Sequence, residues 1–140
     1  MAHTFFHVAV TVNDLKPFEE FYTKHFGFYR GRTIPLGNGK ELVFLRNADG
    51  FYFEIFPADE DRPIPHAEGD GPHYQGIRHL AFSVPDVDAK LAEMGKDAVV
   101  TLGPLGFDAF IPGWKTAWIK DPENNIIEIT QGYTDEAYNR

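Results

Sequence analysis

From residue 5 to 12 the sequence FFHVAVTV alternates and is rich in β-branched side chains, which predicts a strand. Alternation puts Phe6, Val8, Val10 and Val12 on one face, and Phe5, His7, Ala9 and Thr11 on the other. Helical spacing then takes over: Leu15, Phe18, Phe21, Tyr22 and Phe26 predict a helix over about 15–26. Asn13 or Asp14 can cap its start and Gly27 can end it. Strands follow at 28–34, 41–46 and 51–57, joined by Gly37-Asn38-Gly39 and Asn47-Ala48-Asp49-Gly50 turns. A second series opens with a strand at 77–84 and a helix over about 87–95, capped by Asp86 and ended by Gly95. Strands near 98–102, 107–111, 115–120 and 125–131 complete it.

The two series are copies of one unit. Phe6-His7-Val8-Ala9-Val10-Thr11-Val12 aligns with Arg78-His79-Leu80-Ala81-Phe82-Ser83-Val84, an offset of 79 − 7 = 72. The segment from Phe44 through Glu54 to Ile55 aligns with Trp118 through Glu128 to Ile129, an offset of 128 − 54 = 74. Two matches in the same order at nearly one offset predict two β-α-β-β-β modules, an α+β architecture. Each module brings one His near its start and one Glu near its end.

Those four residues carry the chemistry. His7 and His79 share strand faces with small and hydroxyl residues (Ala9 and Thr11; Ala81 and Ser83), as a cavity wall would. Glu54 lies between Phe53 and Ile55, and Glu128 between Ile127 and Ile129. A carboxylate in so apolar a strand is costly unless something pairs with it. A divalent cation would neutralise both carboxylates and take the imidazole nitrogens as its other ligands. Without a metal, the same residues would form a plain His–Glu hydrogen-bonded pair in each half. The His₂Glu₂ set accepts Zn, Ni, Co, Mn or Fe(II) and does not choose among them.

Composition narrows the class further. The 140 residues suit one domain, here module one at about 1–57, module two at about 77–131 and a polar tail over 132–140. The connecting stretch 58–76 is rich in Asp, Glu, Pro, His and Gly, and reads as a linker or as a lid over a site. Zero cysteines remove disulfides and thiolate chemistry and fit a cytoplasmic setting. A net charge of -8 without a basic stripe argues against a nucleic-acid partner, and no apolar run is long enough to span a membrane.

The segments FHVAVTVNDL, FYTKHFGF, FYFEIF, IRHLAFSVPDVD and WIKDPENNIIEI make the chain resemble the vicinal oxygen chelate superfamily, the glyoxalase/bleomycin resistance/ring-cleaving dioxygenase group. The similarity runs over nearly the whole chain, and the DP-x-x-N-x-x-E segment with its upstream His is the most specific part. The resemblance implies two βαβββ modules curled into a half-barrel around one divalent metal, a small-molecule substrate and a homodimer. Within the superfamily, His7, Glu54, His79 and Glu128 match the glyoxalase I ligand pattern. That pattern implies a lyase or isomerase acting on vicinal oxygens through a metal-held enediolate, with Glu128 as proton shuttle and Glu54 as its partner. Tyr52, Thr11, Ser83 and Trp118 are the candidates to meet substrate. Asn124 stands where the family usually has Gly, and Asn tolerates the left-handed backbone such a turn needs.

Departures bear on the substrate rather than the metal. Thr11 and Ala58 replace the Arg and Asn that bacterial glyoxalase I enzymes carry at these places. Arg30, Arg32, Lys115 and Lys120 remain as cations able to meet an anion. Ring-cleaving dioxygenases use two His and one Glu with a Tyr upstream of the DP turn; Trp118 stands there instead, and no His follows His79. Acyl-CoA epimerases and non-catalytic drug-binding resistance proteins belong to the same superfamily and compete with the lyase assignment, although the resistance proteins lack the four ligands. Of the remaining histidines, His25 sits at a helix end where a cation suits the dipole, and His66 and His73 lie in the linker. Phe107, Phe110 and Trp114 are either pocket lining or core.

Overall fold

The computed structural model describes residues 1–137. The chain forms two compact units, Met1–Pro65 and a second from His66 onward. In the first, β1 (His7–Val12) leads through α1 (Leu15–Phe26) to β2 (Tyr29–Gly37), β3 (Lys40–Arg46) and β4 (Tyr52–Pro57). In the second, β5 (Leu80–Ser83) leads through α2 (Val87–Met94) and a 3-10 turn at Gly95–Asp97 to β6 (Val99–Gly106), β7 (Lys115–Lys120) and β8 (Ile126–Gln131). The sheets run β1-β4-β3-β2 and β5-β8-β7-β6. In each, the first and last strands lie side by side and parallel, and the other pairs are antiparallel. The protein is therefore α+β, two βαβββ modules, as its internal repeat predicts. Among the described residues no helix is long and apolar enough to cross a membrane.

Local chemistry accounts for the helix ends. Asp14 is extended and accepts a hydrogen bond from the Lys16 amide at 3.2 Å; Gly27 ends α1 at φ 68°. Asp86 caps α2 by accepting from Ala89 N at 2.9 Å, and Gln131 Oε1 accepts from Val87 N at 2.7 Å. The helix α1 buries Phe18, Phe21 and Tyr22 against the sheet, where Phe53 lies 5.6 Å from the Phe18 ring and 4.9 Å from Tyr22. His25 is buried too, against Phe21 at 5.2 Å, so it belongs to this core and not to an exposed helix end. The helix α2 buries only Val87 and Met94, and the core of its unit is mainly Ala117, Ile119, Ile127 and Ile129 from the sheet.

The turns before β4 and β8 use one device twice. Asn47 Oδ1 accepts from the amides of Asp49 (3.1 Å) and Phe51 (3.0 Å). Its repeat counterpart Asp121 accepts from the amides of Glu123 (2.8 Å) and Asn125 (3.0 Å). Each turn then needs a left-handed residue, supplied by Gly50 (φ 82°) and by Asn124 (φ 63°). Such an Asx turn fixes where the Glu-bearing strand begins, and so which side chains share its face.

Two expectations from the sequence pattern fail. Residues 107–111 are not a strand: Phe110 and Ile111 amides return to the Phe107 carbonyl, and Asp108 accepts from Gly113 N at 2.8 Å. The alternation in FDAFI is real, but Asp108 and a left-handed Gly113 (φ 83°) stabilise a turn there. The strand expected at 77–84 starts only at Leu80, after a stretch without regular structure. The polar tail expected from 132 has no regular structure from Gly132 to 137, and 138–140 lie outside the described residues.

Candidate metal centre

The His and Glu of each unit come together by strand register. In the first unit Ala9 pairs with Glu54 across β1 and β4, so His7, two residues earlier on the same face, is Glu54's diagonal neighbour. In the second, Ala81 pairs with Glu128 across β5 and β8, and His79, one residue ahead of β5, contacts Glu128 from two residues before Ala81. The register is the internal repeat expressed in space. His7 Nε2 lies 3.7 Å from Glu54 Oε2, and His79 Nε2 lies 2.7 Å from Glu128 Oε2. The opposite faces are buried: Phe53 and Ile55 flank Glu54, and Ile127 and Ile129 flank Glu128, all at 1% exposure or less. The four polar side chains are themselves 15–27% exposed, recessed but reachable.

The second half-site has a deeper layer. Asp70 Oδ1 lies 2.6 Å from His79 Nδ1, and Asp70 also takes hydrogen bonds from the Arg78 guanidinium. Its side chain is 4% exposed. Burial pushes the Asp70 carboxyl up, but the hydrogen bonds and charges of His79 and Arg78 outweigh that and hold it below the usual carboxylate range. The first half-site shows no such layer among the described residues: His7 Nδ1 is buried without a hydrogen-bond partner there.

These half-sites fit a cation. The His79 ring lies between two carboxylates, and a neutral imidazole has only one N–H to offer them. Its other nitrogen then meets a carboxylate lone pair to lone pair, which requires a proton or a metal ion between them. His7 and Glu54 present a similar nitrogen–oxygen pair at 3.7 Å. Imidazole nitrogen and carboxylate oxygen suit a borderline divalent ion. Among the described residues, no group of three or more His, Cys, Asp or Glu side chains is arranged to hold a metal alone.

The candidate substrate residues spread along the same strand faces. Tyr52 pairs with His7 in the β1–β4 register and lies under the Arg46 guanidinium, 5.1 Å from ring centre to Cζ. Thr11 and Ser83 are exposed, further along the His-bearing faces. Trp118 pairs with Glu128 across β7 and β8, and its ring is 6.4 Å from that of His79. Its Nε1 is buried without a partner among the described residues. Phe44 is its counterpart opposite Glu54. Trp114 donates to Thr130 Oγ1 at 2.9 Å, two residues beyond Glu128 on the same face of β8, and packs on Phe107 at 4.9 Å, while Phe110 is exposed. Two of the four candidate anion-binding cations are taken up: Arg30 by Glu19 at 2.8 Å and Lys115 by Asp88.

A family model for the Glyoxalase/Bleomycin resistance protein/Dioxygenase superfamily matches residues 4–129, nearly the whole chain. The chain belongs to that superfamily. Its superfamily fold is shared with the crystal structure of SMU.1112c at 26% identity, covering 93% of this chain and 99% of that one, with a TM-score of 0.68. A glyoxalase family protein from Enterococcus faecalis aligns at 25% identity over 91% of this chain and 96% of its own, TM-score 0.67. The superfamily fold extends to the fosfomycin resistance protein FosX from Listeria monocytogenes, crystallised with Mn(II) and sulfate, at 16% identity, 95% coverage of both chains and a TM-score of 0.63. No curated protein matches the chain at a significant level.

Asp70 is the residue beside the His79–Glu128 pair that sequence reasoning missed. It lies in the 58–76 stretch, in which no helix or strand forms. Nothing in that segment's composition singles out one carboxylate among Asp59, Glu60, Asp61, Glu68 and Asp70.

Proposed function

We propose that the chain is a divalent-metal-dependent, glyoxalase-like lyase or isomerase acting on a small substrate with vicinal oxygens. His7, Glu54, His79 and Glu128 are the proposed ligands. The observation that carries this reading is the repeat of one His–Glu contact in both modules, each beside an Ala–Glu strand pair (Ala9 with Glu54, Ala81 with Glu128). Membership of the superfamily and the Mn(II) bound by the FosX relative support it.

When bound, the cation would supply Lewis-acid polarisation of a substrate carbonyl oxygen, which acidifies the C–H of the adjacent, oxygen-bearing carbon. The chain's own residues do the rest. Glu128 is the proposed base, taking a proton from one carbon and returning it to its neighbour, so that no net proton is consumed. Glu54 is its proposed partner carboxylate. Tyr52 and Trp118 are the proposed substrate contacts, and the Trp118 indole N–H has no acceptor among the described residues. Thr11 and Ser83 offer hydroxyls on the same faces as the histidines.

The test is metal content after metal-replete expression, followed by assay of hemithioacetals, acyl-CoA epimers, catechols and fosfomycin. Near-stoichiometric metal with turnover of a hemithioacetal or related vicinal-oxygen substrate is the expected result. No metal would favour a non-catalytic drug-binding protein. Glu54→Ala is expected to weaken metal binding by more than the roughly 10–100-fold typical of losing a group behind a ligand. Unchanged affinity would leave a three-ligand site of the dioxygenase or FosX kind.

A homodimer belongs to the same reading. Val99, Val100, Leu102 and Leu105 on β6, and Tyr29, Ile34 and Leu36 on β2, are each 37–53% exposed. Apolar side chains concentrated on single strands are the kind of surface a partner covers. Light scattering coupled to gel filtration should give twice the 15.9 kDa chain mass; a monomer at micromolar concentration would refute the dimer.

A further inference from the structure

We propose that Asp70 is a positioning residue for the metal centre, fixing the tautomer and ring orientation of His79 so that Nε2 is the nitrogen offered to the cation. This rests on the ligand assignment above, and goes beyond it by naming what holds the ligand. The observations all lie within one unit: Asp70 Oδ1 is 2.6 Å from His79 Nδ1, and His79 Nε2 is 2.7 Å from Glu128 Oε2.

Which nitrogen carries the proton follows from the surroundings of the two carboxylates. The Asp70 side is closed: the side chain is 4% exposed, with Oδ1 held against His79 Nδ1 at 2.6 Å and the carboxylate also hydrogen-bonded by Arg78. An ionised carboxylate only accepts, so Nδ1 must donate to it. The Glu128 side is more open at 15% exposure, on the face that also carries Ala81 and Ser83. A cation can reach Nε2 there, but not Nδ1. A carboxylate behind a metal-binding imidazole also raises the basicity of the ligating nitrogen and restrains ring rotation.

The two half-sites are therefore unequal. His79 is held by Asp70, whereas His7 has a buried Nδ1 with no partner among the described residues and sits 3.7 Å from its Glu. The second module is the preorganised half, and metal affinity depends on a segment outside the βαβββ frame. Asp70 reaches His79 because the chain from His66 to Arg78 folds back on its own unit. That segment and Ile126 surround a hollow of about 590 Å³, with Glu68, His73 and Tyr74 among its lining residues.

The experiment is calorimetric titration of full-length protein with Co(II), together with the visible absorption spectrum of the Co(II) form. Wild type, Asp70→Asn and Arg78→Ala are compared. Asp70→Asn keeps the size of the side chain, yet its neutral oxygen is a poorer acceptor for Nδ1–H. The expected result is an affinity loss of about 10–100-fold with a shifted Co(II) spectrum, while Arg78→Ala stays within a few-fold of wild type. Arg78→Ala removes the other anchor of Asp70 but leaves the Asp70–His79 bond in place. Equal losses in both variants would mean that the loop is merely tethered, and would overturn the positioning role. Wild-type affinity in Asp70→Asn would overturn it while leaving the ligand assignment intact. Failure of the wild type itself to bind Co(II) would overturn both. Long-range ¹H–¹⁵N spectra of the metal-free protein supply a second readout: the His79 Nδ1 resonance should move in Asp70→Asn, and a static resonance would count against the bond.

Discussion

Glu128→Gln is expected to lower turnover by about 10²–10⁴-fold at saturating metal, the range that a positioned proton-transfer group commonly contributes. The carboxamide matches the carboxylate in size, so the strand should hold: Ile127 and Ile129 on either side remain buried at 1% and 0% exposure. What changes is chemistry, because an amide neither accepts a proton at neutral pH nor offsets the charge of a cation. The same variant should also weaken metal binding, since Glu128 Oε2 faces His79 Nε2 at 2.7 Å. The two effects separate if kcat is measured across a metal titration. Turnover restored to the wild-type level by excess metal would show that Glu128 is a ligand only. Full activity without added metal would remove it from both roles.

Phe53→Ala is expected to destabilise the first unit by about 3–5 kcal/mol, the scale for removing a large buried aromatic side chain. Phe53 is 1% exposed and lies at the centre of an aromatic cluster. Ring centres of Phe18, Tyr22, Phe28 and Phe51 stand 5.6, 4.9, 5.2 and 5.2 Å away. Rings from α1, from the segment after it and from the turn before β4 all converge there, so none can close the void alone. Urea unfolding followed by tryptophan-independent circular dichroism is the appropriate measurement, because Trp114 and Trp118 both lie in the other unit. A loss below about 1 kcal/mol would mean that the cluster relaxes into the space. The variant also tests the site from behind, since Glu54 occupies the next residue on β4 and faces the other way.

Much of this was legible in the residues themselves. The strand alternation at 7–12 and 51–57 assigned faces correctly, with Val12, Phe53 and Ile55 all at 2% exposure or less. It failed ahead of β1, where Phe6 is 57% exposed and its ring lies 5.5 Å from Tyr52 and 6.1 Å from Phe44 on the Glu54 side. The two Asx turns could be placed because Asn47 and Asp121 recur at the repeat offset, each with a residue tolerant of positive φ three positions on. The His–Glu pairing was legible only through the repeat, since neither half alone distinguishes a ligand from an isolated polar residue. Periodicity failed at 107–111, where a side-chain acceptor, Asp108, outweighed alternation. It could not have found Asp70, whose role depends on where an irregular segment folds back, and no local pattern encodes that. Nor could it show that Arg30 and Lys115 are already paired with Glu19 and Asp88, contacts between distant elements.

The parallel pairing of first and last strands has a kinetic side. His7 and Glu54 are 54 − 7 = 47 residues apart, and His79 and Glu128 are 128 − 79 = 49 apart. Each half-site is therefore among the most sequence-distant contacts its unit makes, formed when the strand that began the module meets the strand that ends it. Contacts of that span come at the largest loop-closure cost and tend to form after local helices and hairpins. A nascent or half-folded module has no paired donors to offer, so a scarce metal ion would not be captured by chains that have yet to finish folding. Once the outer strands meet, an ion that binds only the native arrangement would deepen the native well by mass action.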